Sequence, residues 1–90
     1  MDELIGAVRE LKTHINAIET IKQRKTSPYS DAANVSETVL QTMEQHLDRL
    51  FVRVVRLATD PYYHAKYTPQ AIQQVAESAI RAFMQHRGIF

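Results

Sequence analysis

The chain has 90 residues, no cysteine and a formal net charge of +1, with 44% hydrophobic and 23% charged side chains. This length fits a single domain, so we expect residues 1–90 to fold as one unit. The absence of cysteine excludes disulfides and thiolate metal sites. The near-zero net charge excludes a protein that grips nucleic acid through its overall charge.

The beginning of the chain is acidic, with Asp2 and Glu3 directly after Met1. It has neither the basic start nor the apolar run of a signal peptide. No apolar stretch approaches the roughly 20 residues that span a bilayer. Together with the lack of cysteine, these features predict a cytoplasmic protein without a membrane partner.

The first predicted helix covers residues 2–25. Its acidic residues lie near the start and its basic residues near the end, as the helix dipole favours. Pro28 then interrupts the helical pattern. The apolar side chains follow spacings of four, three, four and three and form a narrow stripe: Leu4, Val8, Leu11, Ile15 and Ile18.

The second predicted helix covers residues 31–59 and has two alternative starts. Ser30 can cap it with Asp31 in the first turn, or Asn34 can cap it with Glu37 three residues on. The two capping signals are equally consistent with the sequence. The apolar stripe is broad and comprises Val39, Leu40, Met43, Leu47, Leu50, Phe51, Val54, Val55, Leu57 and Ala58.

This stripe is wider than we expect two short neighbouring helices to cover. A domain of this size buries only about 60% of its unfolded-chain surface, so a lone monomer is marginally stable. We therefore predict a homodimer that completes its core through the second helix. The residues predicted to mediate self-association are Leu47, Leu50, Phe51, Val54 and Val55.

The third predicted helix covers residues 69–87. Thr68 is a suitable N-cap before Pro69, and Gly88 is a suitable C-terminal cap, with Ile89 and Phe90 available to fold back on the last turn. The three helices and two connections predict an all-α, antiparallel three-helix bundle.

Residue types that carry catalysis are present but poorly arranged. The four histidines, His14, His46, His64 and His86, include no pair four residues apart, and we expect all four to be partly exposed. Glu44 and Asp48 are expected on a solvated helix face. With only two glycines, a glycine-rich phosphate loop is excluded. We therefore predict no catalytic residues, no metal and no cofactor.

An Arg-x4-His spacing occurs twice, from Arg9 to His14 and from Arg81 to His86. A helical ribonuclease superfamily uses this spacing at a dimer cleft. Five residues correspond to about 140° around a helix, so the two side chains do not share a face. Two occurrences in so short a chain make the motif uninformative.

Two surface features favour binding instead. The connection before the third helix is expected to be a loop rich in tyrosine, a residue type common at interfaces, and contains Tyr62, Tyr63 and Tyr67. These rings can equally close the end of the bundle. Arg49, Arg53 and Arg56 share one face of the second helix, although the helix dipole and their aliphatic stems offer a structural explanation.

We predict a non-enzymatic module, such as a regulator, adaptor, antagonist or assembly factor, that binds a protein partner through the tyrosine-rich loop and the arginines. The first alternative is a nucleic-acid-binding regulator whose arginine stripe is doubled in a dimer. The second alternative is a small helical enzyme.

Overall fold

The computed structural model describes residues 1–25 and 37–89 of the chain. Within these ranges the protein is helical apart from short connections and contains no strand. The prediction of an all-α fold is confirmed. The helices, in chain order, are α1 (Asp2–Lys25), α2 (Glu37–Ala58), α3 (Pro61–Lys66) and α4 (Pro69–Arg87).

The three long helices run alternately up and down. Lys22, near the end of α1, contacts Glu44, near the start of α2, while Glu10 on α1 contacts Arg53 on α2. These two helices are therefore antiparallel. His86, in the last turn of α4, contacts Glu19 on α1, so α4 runs parallel to α1 and antiparallel to α2. Helix α1 packs against both of the other long helices.

The predicted apolar stripe of α1 forms the centre of the core. All five of its residues are buried, and Leu4, Leu11 and Ile18 are fully so. Helix α4 contributes Phe83, with Ile72, Ala76 and Ala79 one to three turns earlier on the buried face. Burying a Leu or Ile side chain stabilises a fold by about 1.5–3 kcal/mol, so this stripe is a main determinant of stability.

A large part of the wide apolar stripe on α2 belongs to the core of one chain. Leu47 and Val54 are fully buried and Leu50 nearly so, because α1 and α4 cover this face within one chain. The ring of half-buried Phe51 stacks on that of Phe83, with centroids 4.1 Å apart. Of the five residues predicted to mediate self-association, Val55 is the most exposed, at 37%.

The tyrosine-rich segment, predicted as a loop, is the short helix α3. Asp60 caps it by accepting a hydrogen bond of 2.9 Å from the backbone N–H of Tyr62, and Pro61 is the first helical residue. Six residues are too few to show a helical repeat in the sequence. The Asp-Pro pair by itself predicts only the end of the preceding helix.

The predicted limits of α4 are confirmed. The Thr68 hydroxyl accepts a hydrogen bond of 3.2 Å from the N–H of Ala71, and Gly88 adopts the left-handed conformation with φ of 71°. The backbone N–H of Ile89 donates to the carbonyl of Met84 at 3.0 Å, as in a Schellman motif. The Ile89 side chain is 62% exposed, so it does not fold back on the last turn as expected, and Phe90 lies outside the described residues.

Both alternative caps of the second helix, Ser30 and Asn34, lie outside the described residues. Helix α2 is described from Glu37 and ends at Ala58, one residue before the predicted end. In the described part of the chain, none of the helices has the length and apolarity needed to cross a membrane.

Candidate functional site

The outward face of α2 carries the predicted arginine stripe. Arg49, Arg53 and Arg56 are all exposed, and they border a shallow groove of about 500 Å³. Asp48, Val52 and Leu57 complete its lining. We call this surface the arginine groove. It faces away from the core because α1 and α4 occupy the opposite side of α2.

The three arginines differ in their partners. Arg53 Nη1 lies 3.2 Å from Glu10 Oε2, and both side chains are more than half exposed, so this ion pair contributes little to stability. Among the described residues, neither Arg49 nor Arg56 forms an ion pair. Two guanidinium groups on this face are therefore available to an external anion.

Val52 gives the same face an apolar centre, because its side chain is 45% exposed between the arginines. Arginine presents planar donors that bind carboxylates and phosphates in pairs. The arginine groove is thus suited to a ligand that combines an apolar group with negative charge.

The three tyrosines lie in different environments. Tyr63 is buried in the core, Tyr67 is half-buried against it, and Tyr62 is 60% exposed. Lys66 Nζ lies 4.8 Å above the centre of the Tyr62 ring. Tyr63 and Tyr67 thus close the end of the bundle, and only Tyr62 offers its ring to a partner. The tyrosines lie beside the start of α1 and do not line the arginine groove.

At the opposite end of the bundle, the structure assembles a polar cluster that was not predicted from the sequence. All four histidines are partly exposed as residues, as expected, but the exposure of His86 comes from its backbone, since its side chain is only 1% exposed. Its Nε2 lies 2.7 Å from Glu44 Oε1, and its Nδ1 contacts Glu19 Oε1. One imidazole ring therefore joins α4 to both other long helices.

Further charges surround this ring. Arg87 donates from Nε to Glu44 Oε2 at 3.0 Å, and its Nη2 lies 2.8 Å from Asp48 Oδ1. Lys22 Nζ lies 3.4 Å from Glu44 Oε1. We call this set the interhelical polar cluster. It contains Glu19, Lys22, Glu44, Asp48, His86 and Arg87.

Glu44 is the centre of this cluster rather than part of a solvated face, since its side chain is only 25% exposed. Burial raises the pKa of its carboxyl group, but the hydrogen bond and positive charge of His86 lower it, and Lys22 adds to that effect. The result is a pKa below the usual value of 4.5. Glu44 is therefore held in its ionised form.

The remaining histidines serve helix contacts. His14 Nε2 lies 2.8 Å from the Met43 carbonyl oxygen, and its ring meets that of His46 edge to face at 4.9 Å. His64 Nε2 lies 2.9 Å from the carbonyl oxygen of Ala58. Within residues 1–25 and 37–89, no group of three histidine, aspartate or glutamate side chains is arranged to hold a metal ion.

The Arg-x4-His pair of α4 is not assembled into one site. Arg81 is exposed and forms an ion pair of 2.7 Å with Glu77, while His86 is buried between two carboxylates.

Searches with protein-family models, among curated proteins and among solved structures found no significant match to this chain. The residues themselves must therefore support any functional proposal.

One signal for the polar cluster was present in the sequence. In an up-down-up bundle, the end of the first helix, the start of the second and the end of the third meet at one end. Glu19, Glu44 and His86 occupy these three positions. Whether these opposite charges meet depends on the register in which the helices pack. The spacing of residues within each helix does not determine that register.

Proposed function

We propose that this chain is a non-enzymatic binding module that docks a protein partner on the arginine groove. The observation that carries the proposal is the pair of guanidinium groups, on Arg49 and Arg56, that have no acidic partner among the described residues and flank the exposed Val52. An exposed apolar side chain bordered by unpaired arginines is typical of a binding surface, since arginine is enriched at interfaces.

The partner that fits this surface is an acidic segment with at least one apolar side chain. Its carboxylates would pair with Arg49 and Arg56, and its apolar side chain would cover Val52. Tyr62 remains a second contact residue in this proposal, because its ring is exposed. Tyr63 and Tyr67 would act only indirectly, by holding α3 in place.

Self-association is part of the proposal in a changed form. Leu47, Leu50 and Val54 belong to the core of the protomer, so a dimer would use Val55, which remains exposed on α2 and does not line the arginine groove. Sedimentation analysis over a hundredfold concentration range tests this point. A single monomeric species throughout would remove the dimer and leave the arginine groove unaffected.

The binding proposal is tested with charge reversal and a matched control. The double substitution Arg49→Glu with Arg56→Glu lowers the net charge by four, and Arg9→Glu with Lys12→Glu on the outward face of α1 lowers it equally. Each variant and the wild type would be immobilised and exposed to nuclease-treated extract of the native host. Retained proteins are then quantified by mass spectrometry, after circular dichroism has shown that both variants fold.

We expect at least one protein to be retained by the wild type and by the variant with Arg9→Glu and Lys12→Glu (the α1 variant). The variant with Arg49→Glu and Arg56→Glu (the α2 variant) should not retain it. Equal retention by the two variants would exclude the arginine groove as the binding site.

Nucleic acid is the second candidate, because the same two guanidinium groups suit phosphates. It is tested by fluorescence anisotropy with a duplex and a single-stranded RNA. Phosphate binding weakens steeply between 50 and 200 mM salt. Salt-sensitive binding that the α2 variant loses, with no protein retained from extract, would favour this alternative.

A further inference from the structure

The polar cluster at the end of the bundle offers an inference independent of the arginine groove. Both ring nitrogens of His86 face carboxylate oxygens, Nδ1 toward Glu19 and Nε2 toward Glu44. A neutral imidazole has only one N–H and can donate to one of these carboxylates. Only the protonated ring, which has two N–H groups, satisfies both.

The charge balance of the cluster leads to the same conclusion. Lys22 and Arg87 supply two positive charges, while Glu19, Glu44 and Asp48 supply three negative ones. A protonated His86 makes the two signs equal. A neutral ring would leave one excess negative charge around His86, close to Glu44, whose side chain is only 25% exposed.

We propose that His86 is a proton-dependent pin, which in its protonated form locks the end of α4 to α1 and α2 and releases this end when the proton is lost. Histidine is the side chain type whose charge can change between pH 5 and 8, so such a contact can respond to pH in the physiological range. Its groups come from every long helix: Glu19 and Lys22 from α1, Glu44 and Asp48 from α2, and Arg87 beside it on α4.

The direction in which stability changes with pH follows from the coupling between proton binding and folding. If the folded state binds the proton more tightly than the unfolded chain, the stabilisation is fully present at low pH and is lost as pH rises through neutrality. A ring that burial kept neutral would give the opposite sign, with stability rising over the same interval. The direction of the change therefore distinguishes the pin from an ordinary buried histidine.

The test measures urea unfolding of the wild type, His86→Gln and His46→Gln at pH 5.5, 6.5, 7.5 and 8.5. Glutamine keeps hydrogen-bonding capacity but cannot gain a proton. His46 is an exposed histidine on α2 and provides the matched control. The range lies above the region where carboxylates titrate.

We expect the folding equilibrium constant of the wild type to exceed that of His86→Gln by the largest factor at pH 5.5. This factor should fall about tenfold by pH 8.5. His46→Gln removes the ring contact with His14 but leaves the polar cluster intact, so its difference from the wild type should not show this tenfold fall. A constant or growing advantage of the wild type would overturn the proposal.

A spectroscopic measurement on the unaltered protein covers the case in which His86→Gln fails to fold. Nitrogen-15 chemical shifts distinguish a protonated ring from either neutral tautomer. At pH 5.5 the His86 ring should show two protonated nitrogens, and at pH 8.5 one. A neutral His86 ring in folded protein at pH 5.5 would exclude the pin.

Discussion

The two ends of this bundle are closed by opposite kinds of chemistry. At one end, α3 places the buried ring of Tyr63 beside the start of α1, where Glu3 lies near its hydroxyl. At the other end, His86 and Arg87 of α4 engage carboxylates of α1 and α2. The first, aromatic end is held mainly by apolar area, with one hydrogen bond of 2.9 Å from the Met1 amino group to the Tyr67 hydroxyl, and the second, charged end by ion pairs.

The two ends should therefore respond differently to pH and salt. Apolar burial has little dependence on pH or salt, whereas ion pairs depend on both. One end of the fold can therefore serve as a fixed anchor while the other responds to solution conditions. Substitutions that act on a single end test this division.

The largest effect is expected at the aromatic end. Tyr63→Ala removes a buried ring and leaves a cavity, which should lower the free energy of unfolding by about 3–5 kcal/mol. For a domain of this size, such a loss corresponds to a fall in melting temperature of more than roughly 10 °C. Thermal and urea unfolding measure it.

The control at this position is Tyr63→Phe, which keeps the ring and removes the hydroxyl group. We expect it to stay within about 1 kcal/mol of the wild type. A loss as large as that of Tyr63→Ala would show that the hydroxyl group, rather than the buried ring, holds this end.

The features that could be predicted from the sequence are local ones, and they occur at both termini of α4. Thr68, Pro69 and Gly88 are local signals whose meaning depends on only a few neighbouring residues, and the structure confirms the helix limits that they predicted. The periodic stripe of α1 likewise identified its buried face. Signals of this kind operate within one turn or along one helix.

The charged end could not be predicted in this way. Glu19 and His86 are 67 residues apart, and their contact depends on the register of two packed helices. The width of the apolar stripe on α2 likewise does not reveal how much of it neighbouring helices cover. Leu47 and Val54 are fully buried within one chain.

An intermediate effect is expected at the charged end. Glu44→Gln keeps the shape of the side chain but removes the charge that faces His86, Arg87 and Lys22. We expect a loss of roughly 1–3 kcal/mol at pH 7, as for hydrogen bonds to charged groups. The control is Glu10→Gln, which removes the exposed partner of Arg53 and should cost less than about 1 kcal/mol.

Acid should weaken the charged end in the wild type and less so in Glu44→Gln. The folded state lowers the Glu44 pKa below 4.5, so its contribution is present above that pH and is lost as pH falls further. Urea unfolding between pH 5.5 and 3 measures this. Parallel curves for the wild type and Glu44→Gln would show that Glu44 is not the group responsible.

The smallest effect is expected from the local cap at the start of α4. Thr68→Ala removes the oxygen that accepts from the Ala71 N–H and should cost about 1 kcal/mol, while Thr68→Ser should restore most of it. Because this cap lies at the aromatic end and involves no ionised group, its cost should be the same at pH 4, 7 and 9. A Thr68→Ala cost that varied with pH would mean that the two ends are coupled through α4, since the cap and His86 lie at its opposite termini.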